Sequence, residues 1–156
     1  MPLRARLAAA WQVLTGRGQA LQHAWQRWRA PRPLGERGER AAERFLKRLG
    51  YQIVARQDRS PLGEMDLIAV DRRVVVFCEV KTRTTHQKGH PSEAVDADKQ
   101  LRMSRWALGF IHRHGLQNFS SRFDVIAVTW PEGVKRPTIE HYKNAFEAVG
   151  PQGFFS

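Results

Sequence analysis

The stretch that most limits how this chain can fold runs from Gly63 to Lys81, where two runs rich in Val, Ile and Leu flank Asp71-Arg72-Arg73. Apolar runs parted by a short polar turn predict a β-hairpin near the middle of a sheet covered on both faces. Three charged residues, Asp66, Glu79 and Lys81, interrupt this apolar setting. Strand side chains alternate, so Glu79 and Lys81 share a face and Val80 points the other way. Asp66 joins that face only if the hairpin loop has an even number of residues, for instance Asp71-Arg72 or Val70 to Arg73.

Two carboxylates forced close on a half-buried surface repel, and one takes up a proton unless a cation lies between them. Oxygen ligands with retained water suit hard Mg²⁺ or Mn²⁺ rather than Zn²⁺, which favours His and Cys. A nearby Lys81 ammonium can hold or deprotonate a water, or offset charge as a phosphodiester is attacked. The simpler alternative is a Glu79–Lys81 ion pair, with Asp66 ending a turn.

Asp66 followed by Glu79-Val80-Lys81 resembles the PD-(D/E)xK nuclease superfamily. A longer string resembles the YraN family of endonuclease-like proteins within it: Gly38-Glu39, Gly63-Glu64-Met65-Asp66-Leu67-Ile68, Phe77-Cys78-Glu79-Val80-Lys81-Thr82-Arg83, Arg122-Phe123-Asp124-Val125 and Asn144-Ala145-Phe146. The resemblance covers residues 35–148. It departs from the usual pattern at Met65 for Ile, Cys78 for Val and Gln57 for Asn, none of which removes a charge; Pro61 is near Asp66 but not next to it. The resemblance implies a restriction-endonuclease-like core and Mg²⁺-dependent hydrolysis of DNA phosphodiester bonds. Asp66 and Glu79 would be the metal ligands, completed by the Val80 backbone carbonyl, and Lys81 would position the water. Glu39 would be an extra acidic residue that meets metal through water or touches a phosphate. Similarity to archaeal Holliday-junction resolvases further implies branched DNA, cut by a homodimer.

Read on its own, the helix from Glu36 to Leu49 has an apolar stripe through Ala41, Ala42, Phe45, Leu46 and Leu49, with Glu39 at its edge and Glu43 turned further away. Glu39 can look toward the sheet, or it can be an ordinary helix-start glutamate that favours the helix dipole. Tyr51 to Ala55 predicts the first strand, and Arg56 to Gly63 a polar loop beside the acidic cluster. Arg56 and Arg59 are then candidate phosphate contacts or plain solvated arginines, and Glu64 either a further carboxylate behind the cluster or a partner for one of them. Thr82 to Pro91 predicts a second polar loop with Arg83 as a phosphate contact. His86 and His90 there have no fixed ligand spacing, and His112 and His114 point apart on a helix. Ser92 or Asp96 can cap a long helix that runs to about His114, its buried stripe formed by Met103, Trp106, Ala107, Phe110 and Ile111. Lys99 stands one turn ahead of Met103, able to enter the site from above the sheet, while Arg102 and Arg105 read as a solvated basic face. Arg122 to Trp130 predicts a strand in which Arg122 and Asp124 either stand behind the site or, more simply, pair at the strand end; Thr138 to Tyr142 predicts an edge strand, and Asn144 to Val149 a short helix.

Residues 1–34 hold six arginines and no acidic residue, with Leu7, Leu14, Leu21 and Trp28 at heptad spacing. This predicts a basic amphipathic helix, ended by Pro31 and Pro33, preceding a nuclease-like domain over 35–150 and a tail over 151–156. The expected fold is α/β: a helix, a three-strand meander, a crossover helix and a further parallel strand, with an added edge strand. The formal net charge of +11 favours a polyanionic partner, nucleic acid ahead of an acidic membrane surface. The single cysteine, Cys78, cannot form an internal disulfide and fits a reducing compartment. No apolar run is long enough for stable membrane insertion, so a cytoplasmic protein is expected. The leading expectation is a Mg²⁺-dependent endodeoxyribonuclease. The competing expectations are a non-catalytic nucleic-acid-binding module on the same fold, and a membrane-surface or scaffold adaptor acting through residues 1–34.

Overall fold

The computed structural model describes residues 32–85 and 95–150. The basic helix expected within 1–31, His86 and His90, Ser92 and the tail therefore lie outside the described residues. Helix α1 (Leu34–Arg48) begins just after Pro33, carries Glu36 in its first turn and Lys47 and Arg48 in its last, and so complements its own dipole. Gly50, at φ 89°, takes the left-handed turn that ends it, where the Tyr51 N–H donates back to the Leu46 carbonyl. Strands β1 (Gln52–Ser60), β2 (Gly63–Asp71) and β3 (Val74–Arg83) follow as an antiparallel meander. Helix α2 (Ala97–Arg113) carries the chain over the sheet to β4 (Ser121–Thr129), which lies parallel to β3, and β5 (Thr138–Phe146) closes the far edge. Spatial order equals chain order, β1-β2-β3-β4-β5. This is the mixed α/β architecture expected, consistent with a restriction-endonuclease-like core.

The hairpin at the centre is buried on both sides because each helix supplies one apolar stripe. On one face Ala41, Ala42 and Leu46 of α1 pack on Leu67, Ala69, Val76, Cys78, Ile126 and Val128. On the other, Met103, Trp106, Phe110 and Ile111 of α2 pack on Ile68, Val75, Phe77, Phe123 and Val125. The stripe expected on α2 is the one buried, and Asp96 is its cap, accepting from the Lys99 N–H at 2.7 Å.

Four expectations need correcting. The hairpin loop is Arg72-Arg73, since Asp71 pairs with Val74; Arg72 sits at φ 58° in the turn. The loop is even, so the parity on which Asp66 depends is met, but in a register one residue later than Asp71-Arg72. Second, Arg56 to Gly63 is not a loop: β1 runs on to Ser60, paired as far as Ser60 with Gly63, so Arg56 and Arg59 are strand residues. The polar string Arg56-Gln57-Asp58-Arg59 hides this strand because it lies on a sheet edge, where alternation need not be apolar. Third, Asn144 to Val149 is not helical. β5 reaches Phe146, whose ring stacks on Phe123 at 4.8 Å, while the Asn144 N–H donates to Asp124 at 2.9 Å. Fourth, Glu43 is not turned away but buried, held by Lys47 at 2.7 Å and Arg56 at 2.6 Å.

Candidate functional site

The two-residue loop sets Asp66 across from Glu79 at the end of the β2–β3 ladder, whose last backbone pair is Leu67 with Cys78. Beyond that pair the Val80 N–H donates to the Asp66 Oδ2 at 2.8 Å, so a side chain replaces the missing rung. Glu79 is only 4 % exposed. Its Oε1 meets Lys81 Nζ at 2.9 Å, and Lys99 Nζ approaches Oε2 at 3.1 Å from the first turn of α2. That second approach is poorly directed, and Oε2 is a buried oxygen with no hydrogen-bond donor. Burial first, and the Glu79 charge second, push the Asp66 carboxyl up to about 6, against the pull of the Val80 N–H.

Glu39 reaches the same neighbourhood from the opposite face. Gly38 makes this possible: a Cβ there would lie 1.8 Å from the Thr82 hydroxyl, so α1 presses on β3 more closely than any side chain would allow. The Glu39 carboxylate accepts from the Gln57 side-chain amide at 2.9 Å. Its carboxyl is raised, by burial above all, with the charges of Glu64, Glu36 and Glu79 adding and the Gln57 bond opposing. Glu39 in turn adds to the rise at Asp66, which places it within electrostatic reach of the pair.

The candidate phosphate contacts scatter. Arg56 binds Glu43 and Arg59 binds Glu64 at 3.0 Å, both well exposed. Arg83 closes β3, its carbonyl accepting from the Trp130 N–H. Lys99 alone of the four enters the carboxylate cluster. Sequence reasoning noted Gln57 only as a departure from the family's usual Asn and gave it no role; the structure bonds it to Glu39. Arg122 and Asp124 form the expected pair, but away from this cluster, in a buried network with Asp71, Tyr51 and His141.

Among the described residues no group of three or more His, Cys, Asp or Glu is arranged as a ready cage for a metal. The donor set nonetheless fits Mg²⁺, which is typically held by one or two carboxylates and keeps its remaining waters. A buried carboxylate oxygen with no well-directed hydrogen bond and a facing carboxyl driven toward its protonated form fit a pair that binds a cation. Asp66 and Glu79 are the residues that would hold it.

Comparison with known proteins gives concordant matches. The uncharacterised protein family UPF0102 matches residues 38–128, from Gly38 before Glu39 to the end of β4. A UPF0102 protein of Rhodopirellula baltica is 46 % identical over 125 residues, covering 78 % of this chain and 75 % of that one. One of Symbiobacterium thermophilum is 47 % identical over 118 residues, 75 % and 98 % of the two chains, and one of Geobacter sulfurreducens is 46 % identical over 116 residues, 73 % and 88 %. With the family's matched region enclosing the whole carboxylate and lysine cluster, this chain belongs to UPF0102, the YraN group.

Proposed function

We propose that this protein is a Mg²⁺-dependent endonuclease that hydrolyses DNA phosphodiester bonds at the Asp66–Glu79 cluster. The observation that carries the reading is the buried Glu79 carboxylate, whose Oε2 takes no well-directed hydrogen bond although Lys99 Nζ stands 3.1 Å away, with Asp66 facing it. Asp66 and Glu79, with the Val80 carbonyl, would hold Mg²⁺ or Mn²⁺. When bound, the ion supplies Lewis-acid polarisation of a phosphoryl oxygen and lowers the pKa of water. Lys81, on the Glu79 face of β3, would hold a water by its ammonium protons and offset charge on the phosphate. Lys99, on the first turn of α2 and 3.1 Å from Glu79, would add a second positive charge to offset that building on the attacked phosphate. Of the expected phosphate contacts Lys99 alone stands in the cluster, Arg56 and Arg59 being held by Glu43 and Glu64, and the net charge of +11 favours association with DNA. Branched DNA as substrate, and a homodimer as the cutting unit, rest on the likeness to junction resolvases alone.

One observation favours a second reading. Lys81 and Lys99 neutralise Glu79 without help from a metal, as they would in a nucleic-acid-binding module without turnover. The two readings part in one experiment: matched linear, flapped and four-way-junction DNAs incubated with Mg²⁺, Mn²⁺ or EDTA, beside Glu79→Ala and Lys81→Ala proteins. Hydrolysis predicts cutting that needs metal and falls by about 100-fold or more in either variant. Binding that neither substitution changes, with no cutting in any metal, would favour the module.

A further inference from the structure

We infer that Gln57 is a positioning residue for Glu39, holding that carboxylate toward the Asp66–Glu79 pair; this rests on the metal-site reading above. The inference starts from a break in alternation. Arg56 and Gln57 are neighbours on β1 and would send their side chains to opposite faces of the sheet. Yet both bind α1: Arg56 donates to Glu43 at 2.6 Å and Gln57 to Glu39 at 2.9 Å. Glu39 and Glu43 are one turn apart on α1, so the two strand residues grip successive turns of one helix.

The backbone shows how this is achieved. Gln57 lies at φ 44°, in the left-handed region that a residue with a Cβ enters at a cost. The register of β1 with β2 sets Gln57 opposite Asp66, and that rung is missing from a ladder that continues on either side. The chain therefore gives up backbone pairing and accepts strain beside the metal-binding carboxylates, and gains an amide aimed at a third one. Glycine would occupy φ 44° without strain, but it has no side chain to reach Glu39. Strain kept next to a reactive cluster points to a functional use. The amide donates its N–H to one Glu39 oxygen, which fixes the carboxylate's rotation and leaves its other oxygen for water bound to the ion.

The test uses the full chain and two readouts, thermal unfolding without metal and Mn²⁺ binding by calorimetry. Gln57→Gly removes strain and amide together, and its melting temperature is expected to equal or exceed that of the natural chain. Its Mn²⁺ affinity is expected to fall about 10-fold, as for loss of an outer-sphere partner. Glu39→Gln is expected to weaken Mn²⁺ similarly, and adding Gln57→Gly to it to weaken binding no further. Unchanged Mn²⁺ affinity in Gln57→Gly, or a loss that persists undiminished in the Glu39→Gln background, would overturn the inference. Glu79→Ala separates this from the wider reading. If that variant keeps full Mn²⁺ affinity, the metal site itself is refuted; if it loses binding while Gln57→Gly does not, only the role of Gln57 falls.

Discussion

Asp66 is the residue whose chemistry depends most on its surroundings. Folding raises its pKa from the usual 3.8 to about 6. Between those values the metal-free fold binds more protons than the unfolded chain, so this residue makes stability fall as pH rises through them. The contribution is intact below 3.8 and lost above about 6. Asp66→Asn keeps a carbonyl for the Val80 N–H and sheds the charge. It is expected to raise metal-free stability by about 1–3 kcal/mol near neutral pH, with the gain vanishing under acid conditions. Urea unfolding of both proteins across that range checks it, and Mn²⁺ should reverse the order by stabilising only the natural chain. The pairing of Asp66 with Glu79 was legible because parity in a hairpin leaves two outcomes, and an apolar pattern this regular fixes the strands. Lys99 was legible from its helical line with Met103. Gln57 was not, because in the sequence it is only a mild departure from the usual Asn, and Gln itself does not announce left-handed backbone as Gly, Asn or Asp do.

At the scale of elements, the close approach of α1 to β3 sets where Glu39 can reach. Gly38→Ala would drive a methyl group into Thr82, forcing α1 outward at a cost of about 1–3 kcal/mol. Thr82→Ala removes the nearest atoms, the hydroxyl at 1.8 Å and the methyl at 2.8 Å, while its Cβ stays at 2.8 Å, so the pair is expected to recover part of the loss. Chemical denaturation of the single and double variants measures both. The helices were readable from their stripes and stops, and β2, β3 and β4 from their apolar runs. β1 and β5 were cut short in the reading because both are edges. Their outer halves are polar, and what extends them is tertiary: Gly63 pairing back on Ser60, and Phe146 stacking on Phe123.

At the scale of the molecule, two polar clusters occupy one sheet. In the Asp66–Glu79 cluster one buried oxygen, Glu79 Oε2, takes no well-directed hydrogen bond, whereas Asp124 is fully paired. Burial would raise the Asp124 carboxyl, but His141, Arg122 and the Asn144 N–H together hold it below the usual range. With Asp71 and Tyr51 bonded to the same guanidinium, the network ties β2, β4 and β5 together. Asp124→Ala leaves Arg122 and His141 without this carboxylate and is expected to destabilise by about 3–5 kcal/mol. Mn²⁺ affinity of the folded fraction should be unchanged, which calorimetry below the melting temperature can verify. No helix among the described residues is long and apolar enough to cross a membrane.

The two-residue turn at Arg72-Arg73 has a kinetic consequence. Hairpins close on a microsecond scale, and this one brings Asp66 and Glu79 face to face through local chain, whereas Lys99 comes from α2 and needs a contact of longer range. Lys81, on the same hairpin, offsets part of that pair's like charge, and a divalent ion in the medium relieves the rest. Refolding followed by stopped-flow tryptophan fluorescence is expected to quicken with added Mn²⁺. In Asp66→Asn the refolding rate should already be fast and should not respond to the ion.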